Sequence, residues 1–465
     1  MKRSLPILQD SAPSSIRADG RRVPIFPLDV KGKFITARRI VFALLIALYA
    51  GAPLVHVGGH PAIHLDVAKR QFFLMGGTFN AQDFWIVLLL ATAAAFALLF
   101  ITAWRGRMWC GWACPQTVFL EGVFRPIERL LEGPRSRRLK MQRAPWTALR
   151  LLRTTTKHVL YLVAAAGVAH IALALFVSLD DLWGMIKDGP VGHAAPLAWA
   201  IAITAVLYFN FAWFREQFCV VLCPYGRMQS VLHDQDSIVV AYDPGRGEPR
   251  GPLKKAALAE PTGHCVDCKK CVHVCPTAID IRNGLQMECL ACAQCIDVCD
   301  EVMEKIGRPK GLIRFASLNE LLGKGRRVMR PRLLLYAVLC LLCSTGFAVA
   351  VVGRTPFEAN ILRAPGVPWV LEGANVRNQV DIHLVNKHAQ QASFSISVQS
   401  DFPASVQLGQ RVVVLDSLAG TRVPVVVTVA RKDLHAGSEL TLRIEDLQTG
   451  QVKNRQLRLL APGVH

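Results

Sequence analysis

Acidic side chains are scarce in this chain: 34 Asp and Glu stand against 54 Lys and Arg, a net charge of +20 over 465 residues. That excludes an acidic disordered tail protein. Cysteine is sparse as well, 14 in all, too few per residue for a small disulfide scaffold. Low-complexity tracts are missing, and the 21 Phe and 9 Trp fit a folded chain instead. No cleavable signal peptide is apparent. About forty mostly polar residues precede the first apolar run, and no small-x-small site follows a short apolar core. What is there is a chain 52% apolar, with mean hydropathy +0.31, long enough for more than one domain.

Five apolar runs carry the first positive signal. They cover Ile40 to about Val57, Phe84–Trp104, about His158–Leu179, about Ala194–Phe214 and Leu333–Val352. Each is long enough to cross roughly 30 Å of hydrocarbon at about 1.5 Å per residue. The second and fifth hold no acidic or basic side chain over about 20 positions, which buried helices of soluble proteins rarely show. Gly51 and Pro53 weaken the first run without excluding a span. Lys and Arg set the orientation. About nine lie in residues 1–39 and about twelve between Arg105 and Lys157, and the loop after the fourth run is also basic. The other two loops hold only Lys69 with Arg70, and Lys187. The positive-inside rule puts the N-terminus in the cytoplasm and the C-terminus outside. The positive charge is then topological. Its spread over three separate inner loops argues against a nucleic-acid surface.

After the fifth run no cysteine occurs. That outer region reads as short β-branched strands: Val376–Val385, Phe394–Val398, Arg411–Leu415, Val423–Val429 and Leu440–Ile444. Turn residues such as Gly409, Gly420, Gly437 and Gly450 separate them. The spacing predicts an antiparallel sandwich of immunoglobulin type, with a docking or spacer role.

Ten cysteines lie in residues 216–332, eight of them between Cys265 and Cys299. Cys265-x2-Cys268-x2-Cys271-x3-Cys275-Pro276 is the bacterial ferredoxin run, and Cys289-x2-Cys292-x2-Cys295-x3-Cys299 repeats it. Three thiolates in a tight loop reach three irons of one cubane; the fourth iron takes a cysteine from the other run. Cys265, Cys268, Cys271 and Cys299 are thus expected on one [4Fe-4S] cluster, and Cys289, Cys292, Cys295 and Cys275 on the second. Zinc also uses C-x2-C, but it does not explain two sets of four with the same spacing. Asp300 follows Cys299 where Pro276 follows Cys275. That alters the loop and removes no ligand.

A duplication links two further cysteine pairs. Ala103-Trp104 precedes Cys110-x3-Cys114-Pro115, and Ala212-Trp213 precedes Cys219-x3-Cys223-Pro224, at a constant offset of 109 residues. On a helix, a four-residue spacing puts both sulfurs on one face. The prolines then mark a kink or a helix boundary. Soft thiolate pairs favour Cu(I), and two related pairs are able to converge on one site; a dithiol relay is the other reading. Cys340 and Cys343, inside the fifth run, read as packing residues. So do Met287 and Met303. His56, His60 and His64 read as loop residues, since Gly58, Gly59 and Pro61 break any helix between them.

The stretches Cys219–Tyr242 and Asp280–Ile313, the two ferredoxin runs, and Leu65-Asp66 with Arg70-Gln71-Phe72-Phe73 and Gly76 together resemble the cytochrome c oxidase accessory proteins of the CcoG/FixG type. The resemblance implies a multi-pass protein of the bacterial inner membrane that reduces Cu(II) to Cu(I) for assembly of a cbb3-type oxidase. It implies Cys110, Cys114, Cys219 and Cys223 as the copper thiols. It also implies oxidase assembly factors and copper chaperones as partners, and an electron donor that it does not identify. The expected fold class is a membrane protein of five transmembrane helices, with an inserted bacterial-type 2[4Fe-4S] ferredoxin domain and a C-terminal all-β immunoglobulin-like sandwich. The expected divisions are a cytoplasmic leader (1–39), a four-helix membrane unit with the duplicated motif (40–215), a cytoplasmic ferredoxin domain (216–332), a fifth transmembrane helix (333–353) and a periplasmic sandwich (354–465). Two rivals remain. Membrane ferredoxins of periplasmic nitrate reductase systems share four spans, the C-x3-C-P pairs and the two runs, and are linked to quinol. A non-redox assembly scaffold is the other.

Overall fold

The computed structural model describes residues 24–57, 60–67, 71–80, 83–189, 192–252, 263–363, 367–388, 390–435 and 438–461. The expectations for residues 1–23, Gly58, Gly59, Lys69, Arg70 and Gly437 fall outside them. Among the described residues, five helices are long and apolar enough to cross a membrane: Lys33–Gly51, Phe84–Arg105, Ala148–Ala174, Ala194–Phe214 and Pro331–Val352. The chain separates into two compact units. One comprises residues 1–54 and 88–345, the other residues 55–87 and 346–465.

The first unit holds most of the spans and the cysteine-rich region. Its opening helix starts at Lys33, seven residues before the apolar run begins. The cause is distant in sequence. Asp297 accepts from the backbone N–H of Phe34 (3.2 Å) and of Ile35 (2.9 Å). It thereby satisfies donors that a helix start leaves free. Residues preceding the helix also pack: Leu28 N–H donates to the His273 carbonyl at 2.8 Å, and Val30 is buried. The described part of the leader before this helix, residues 24–32, is therefore held against the cysteine-rich region. The third span starts at Ala148, about ten residues earlier than its apolar run, behind a Thr147 cap whose side chain accepts from Arg150 N–H. The fourth runs as α-helix to Phe209 and continues as a π-turn over Asn210–Phe214.

The second unit is mostly β, and it also takes in one end each of the Phe84–Arg105 and Pro331–Val352 helices. A three-stranded meander joins Ile63–Asp66, Gln71–Leu74 and Gly77–Asn80, and His56–Val57 pairs with His60–Pro61. His56, His60 and His64 thus lie on strands rather than in loops. The C-terminal part is a sandwich. One sheet orders Ala404–Leu408, Gly420–Ala430, Asn375–Asn386 and Phe357–Arg363, with Trp369–Glu372 also paired to Asn375–Asn386. The other orders Val412–Leu415, Ala392–Gln399, Glu439–Asp446 and Val452–Arg458. Alternate residues of each strand turn inward. Ile382, Leu384, Phe394, Val425, Leu442 and Ile444 form the core between the sheets. The register sets Val380 opposite Val425 and Ile382 opposite Val423. Phe357–Arg363, Trp369–Glu372, Ala404–Leu408 and Val452–Arg458 escaped the sequence reading, since they are short or strongly polar.

Candidate electron-transfer and metal site

Two cavities in the first unit are lined by cysteine. One, of about 350 Å3, is lined by Cys271, Cys275, Cys289, Cys292 and Cys295. The other, of about 370 Å3, is lined by Cys265, Cys268, Cys271 and Cys299. The second cavity draws three cysteines from the first run and one from the second; the first cavity draws three from the second run and two from the first, with Cys271 lining both. The two runs fold alike around their second cysteine. Asp267 and Lys269 flank Cys268, Ala291 and Ala293 flank Cys292, and all four adopt positive φ between 51° and 62°. Such a backbone turns successive N–H groups toward one centre, which suits an anionic sulfur group.

The fourth cysteines differ for a local reason. Cys275 caps the helix Lys270–Val274 in an extended conformation, as a residue before proline prefers. Cys299 lacks that proline and lies inside the helix Gln294–Lys305. Asp300 instead accepts from Gly311 N–H at 2.8 Å. Burial pushes the thiols of Cys271, Cys289 and Cys299 up to about 12, and that of Cys295 well above its ordinary value. Binding iron there must release protons. Among the described residues no three His, Cys, Asp or Glu side chains close on a single ion. The cysteines line cavities instead of converging on a point, and this donor set fits a multi-iron cluster. Met303 is buried against this core, whereas Met287 is 43% exposed and packs no core.

The C-x3-C-P pairs do not lie on continuous helices. Cys110 belongs to the helix Met108–Trp112, and Cys114 is the extended N-cap of Pro115–Phe119. Cys219 lies in a π-turn, Phe218–Leu222, and Cys223 is the extended N-cap of Pro224–Leu232. Each proline takes the first helical position and forces its cysteine out of the helix. The expected shared helical face is thereby replaced by a break between the two sulfurs of each pair. The pairs nevertheless lie near each other. Cys114 interacts electrostatically with Cys110 and Cys223, and Cys219 with all three other thiols. Burial, then these neighbours, push the Cys219 thiol up to about 12. Buried Gln229, on the helix after Cys223, donates to Cys110 Sγ at 3.4 Å. Cys340 stands apart, against the Ala93 carbonyl at 3.7 Å.

The first pair abuts the second cysteine run. A Cβ on Gly111 would lie 2.3 Å from the Leu290 carbonyl oxygen and 3.1 Å from the Cys292 backbone N, so only glycine fits. Trp112 Nε1 donates to the Ala291 carbonyl at 3.3 Å. Arg38 Nε, from the first span, donates to the Gly111 carbonyl at 2.9 Å. Arg125 donates to the Pro276 carbonyl at 3.3 Å while paired with Glu121 and Glu216. Beside it, Glu128 binds Arg215 and Arg138, and Lys157 meets Glu132 at 2.6 Å. This buried charge network brings together loops that are far apart in sequence. Arg38, Gly111 and Gln229 went unnoticed in the sequence. Arg38 alone carried a usable signal, an ionisable residue next to an apolar run.

Three family models match the chain. A 4Fe-4S dicluster domain covers residues 214–318, a 4Fe-4S binding domain covers 84–138, and the IG-like fold at C-terminal of FixG covers 347–462. Protein RdxB of Cereibacter sphaeroides is 35% identical over 467 aligned positions, covering 95% of this chain and 96% of its own. The nitrogen fixation protein FixG of Rhizobium meliloti is 32% identical, over 82% of this chain and 80% of its own. Protein RdxA of Cereibacter sphaeroides is 34% identical, over 81% and 82%. The crystal structure of a FixG-related protein from Vibrio parahaemolyticus aligns with 23% of this chain and 99% of that one, at 14% identity and a TM-score of 0.21.

Proposed function

This chain belongs to the family of FixG, RdxA and RdxB, membrane iron–sulfur electron-transfer proteins, and from that premise we propose that it is a cupric reductase serving assembly of a cbb3-type oxidase. In this reading Cys265, Cys268, Cys271 and Cys299 hold one [4Fe-4S] cluster, and Cys275, Cys289, Cys292 and Cys295 hold the other. When bound, the clusters supply one-electron transfer. Cys110, Cys114, Cys219 and Cys223 take the substrate, Cu(II). Their thiols release protons on binding it. One electron converts it to Cu(I), the oxidation state that soft thiolates favour.

The observation that carries this reading is the seating of Gly111 and Trp112 against Leu290–Cys292. Two of the three residues between Cys110 and Cys114 touch the loop that bears Cys292. The thiol pairs are thus next to a source of single electrons. The positive-inside distribution supports a cytoplasmic N-terminus and ferredoxin region, with the sandwich in the periplasm of a bacterial inner membrane. Copper chaperones and oxidase assembly factors are the partners this role requires, together with an upstream reductant.

The test uses purified full-length protein in detergent under anaerobic conditions. The clusters are reduced, Cu(II) is added, and cluster re-oxidation is followed with a Cu(I)-specific chelator present. The expected outcome is stoichiometric Cu(I), with copper reduction lost in Cys110→Ser and Cys223→Ser while cluster absorbance stays. If those variants react as fast as wild type, free Cu(II) is being reduced without the thiols and the reading fails. If a quinone re-oxidises the clusters far better than copper does, the quinol-linked relay replaces it.

A further inference from the structure

Arg38 is fully buried, and its Nη1 and Nη2 atoms have no hydrogen-bond partner. No carboxylate among the described residues forms an ion pair with it. Only its Nε is satisfied, by the Gly111 carbonyl, and its guanidinium lies 5.0 Å from the Phe42 ring centroid. A buried, unpaired cation is costly unless a negative group faces it. The facing group is the second cysteine run: Arg38 interacts with Cys292, whose backbone packs on Gly111. A second cation behaves alike. Arg107 is buried, its Nε has no partner, and it interacts with both Cys289 and Cys219. The remaining guanidinium nearby, Arg125, is balanced by Glu121 and Glu216.

The other cavity has the opposite balance. Its guanidinium, Arg282, is paired to Asp280 at 2.7 Å and to Asp267. Asp300 adjoins Cys299 and interacts with its thiol. Lys269 and Lys270 also line this cavity, one exposed and one half-buried. Water screens such charges far more than it screens a buried one.

We infer that Arg38, aided by Arg107, makes the cluster site of Cys275, Cys289, Cys292 and Cys295 the higher-potential member of the pair. Reduction adds one negative charge to that site and changes no bond. An uncompensated buried cation favours the reduced form, whereas the neutralised surroundings of the other site give it no such help. Electrons therefore collect at the site that touches Gly111, next to Cys110. Arg38 is a positioning residue in this scheme, acting on potential and not on substrate. The inference rests on the ligand sets proposed above and is independent of the copper assignment.

The experiment is an EPR-monitored redox titration of the full-length protein in detergent, without copper. Wild type is expected to show two one-electron steps. Arg38→Gln should lower the upper step by at least tenfold in equilibrium constant, about 59 mV for one electron, and leave the lower step nearly fixed. Arg38→Lys, which keeps the charge, should retain most of the wild-type value. An unmoved upper step in Arg38→Gln, or a shift confined to the lower step, overturns the inference. If Arg38→Gln loses iron and labile sulfide, Arg107→Gln decides: it must lower the upper step, and a wild-type value overturns the inference. Wild-type protein lacking iron and labile sulfide would instead overturn the ligand sets.

Discussion

Gly111→Ala probes the junction between thiol pair and cysteine run directly. The new methyl would stand 2.3 Å from the Leu290 oxygen and 3.1 Å from both Cα and N of Cys292, where ordinary contact begins near 3.4 Å. All three atoms are backbone, so no side chain can swing aside. The two loops must part by about 1 Å, an overpacking that costs about 1–3 kcal/mol. The Arg38 bond to the Gly111 carbonyl strains with it. The shift per kcal/mol is about 2–4 °C for roughly 150–250 residues and falls with size, so the larger first unit should melt a few degrees lower at most. Thermal loss of iron–sulfur absorbance, with far-UV circular dichroism alongside, reads this. Cu(II)-driven re-oxidation should slow in the same protein, because the thiols have moved away from the reduced site. Gly184→Ala is the control. Gly184 is helical with nothing within 4 Å of its Cβ position, so alanine there should be neutral or stabilise by up to about 1 kcal/mol. A Gly111→Ala protein with wild-type melting and a wild-type re-oxidation rate would refute the junction.

Burial alone would raise the Glu128 carboxyl, but Arg215 and Arg138 overcome that and hold it at about 2. A depressed carboxyl stabilises above its unfolded value, here by about 3 kcal/mol, and that contribution fades as pH falls from about 4.5 toward 2. The stability gap between wild type and Glu128→Gln should be constant above about pH 5 and narrow below it; a gap unchanged at pH 3 sinks the assignment. In the sandwich, Phe394 is fully buried with its ring 5.3 Å from Phe357. Phe394→Ala should cost about 3–5 kcal/mol in urea unfolding of the full chain, and under about 1 kcal/mol would contradict the packing. Cys340→Ala and Cys343→Ala should leave iron content and copper binding intact, since both lie within the Pro331–Val352 span and Cys340 Sγ faces the Ala93 carbonyl; loss of either property would assign them a role.

The spans, the cluster runs and the sandwich were legible because each rests on local pattern: apolar length, cysteine spacing, strand alternation. Helix starts were not. Lys33 begins the first span because Asp297 caps it, an acceptor more than 260 residues away. The C-x3-C-P pairs show a local rule overriding another. Four-residue spacing suggests one helical face, but the proline places its cysteine outside the helix. The role of Gly111 was invisible, since its neighbour is a backbone carbonyl from a distant loop. Arg38 was hidden by the boundary itself: starting the span at Ile40 left the arginine in the polar leader.

Duplication made the two thiol pairs alike in sequence, and their surroundings have since diverged. Cys110 is buried at 6% exposure, and the residues after it press on Leu290–Cys292. After Cys219 come Val220, Val221 and Leu222, exposed at 38%, 51% and 61%. One repeat therefore packs on the Leu290–Cys292 loop and the other lies on an exposed face of its unit; under the copper-site proposal, an incoming metal would meet the second pair first. Access to a small thiol reagent reports the same asymmetry. In an anaerobic time course with N-ethylmaleimide, read by peptide mass spectrometry, Cys223 should be alkylated well before Cys110. Copper bound across both pairs should protect the two together. Equal labelling rates for Cys223 and Cys110 would mean that both repeats are equally open, and the directional reading of the duplication would fall while the cluster assignment stood. Protection of Cys223 alone would place copper on one repeat only, leaving Cys110 to position Gly111 against Cys292.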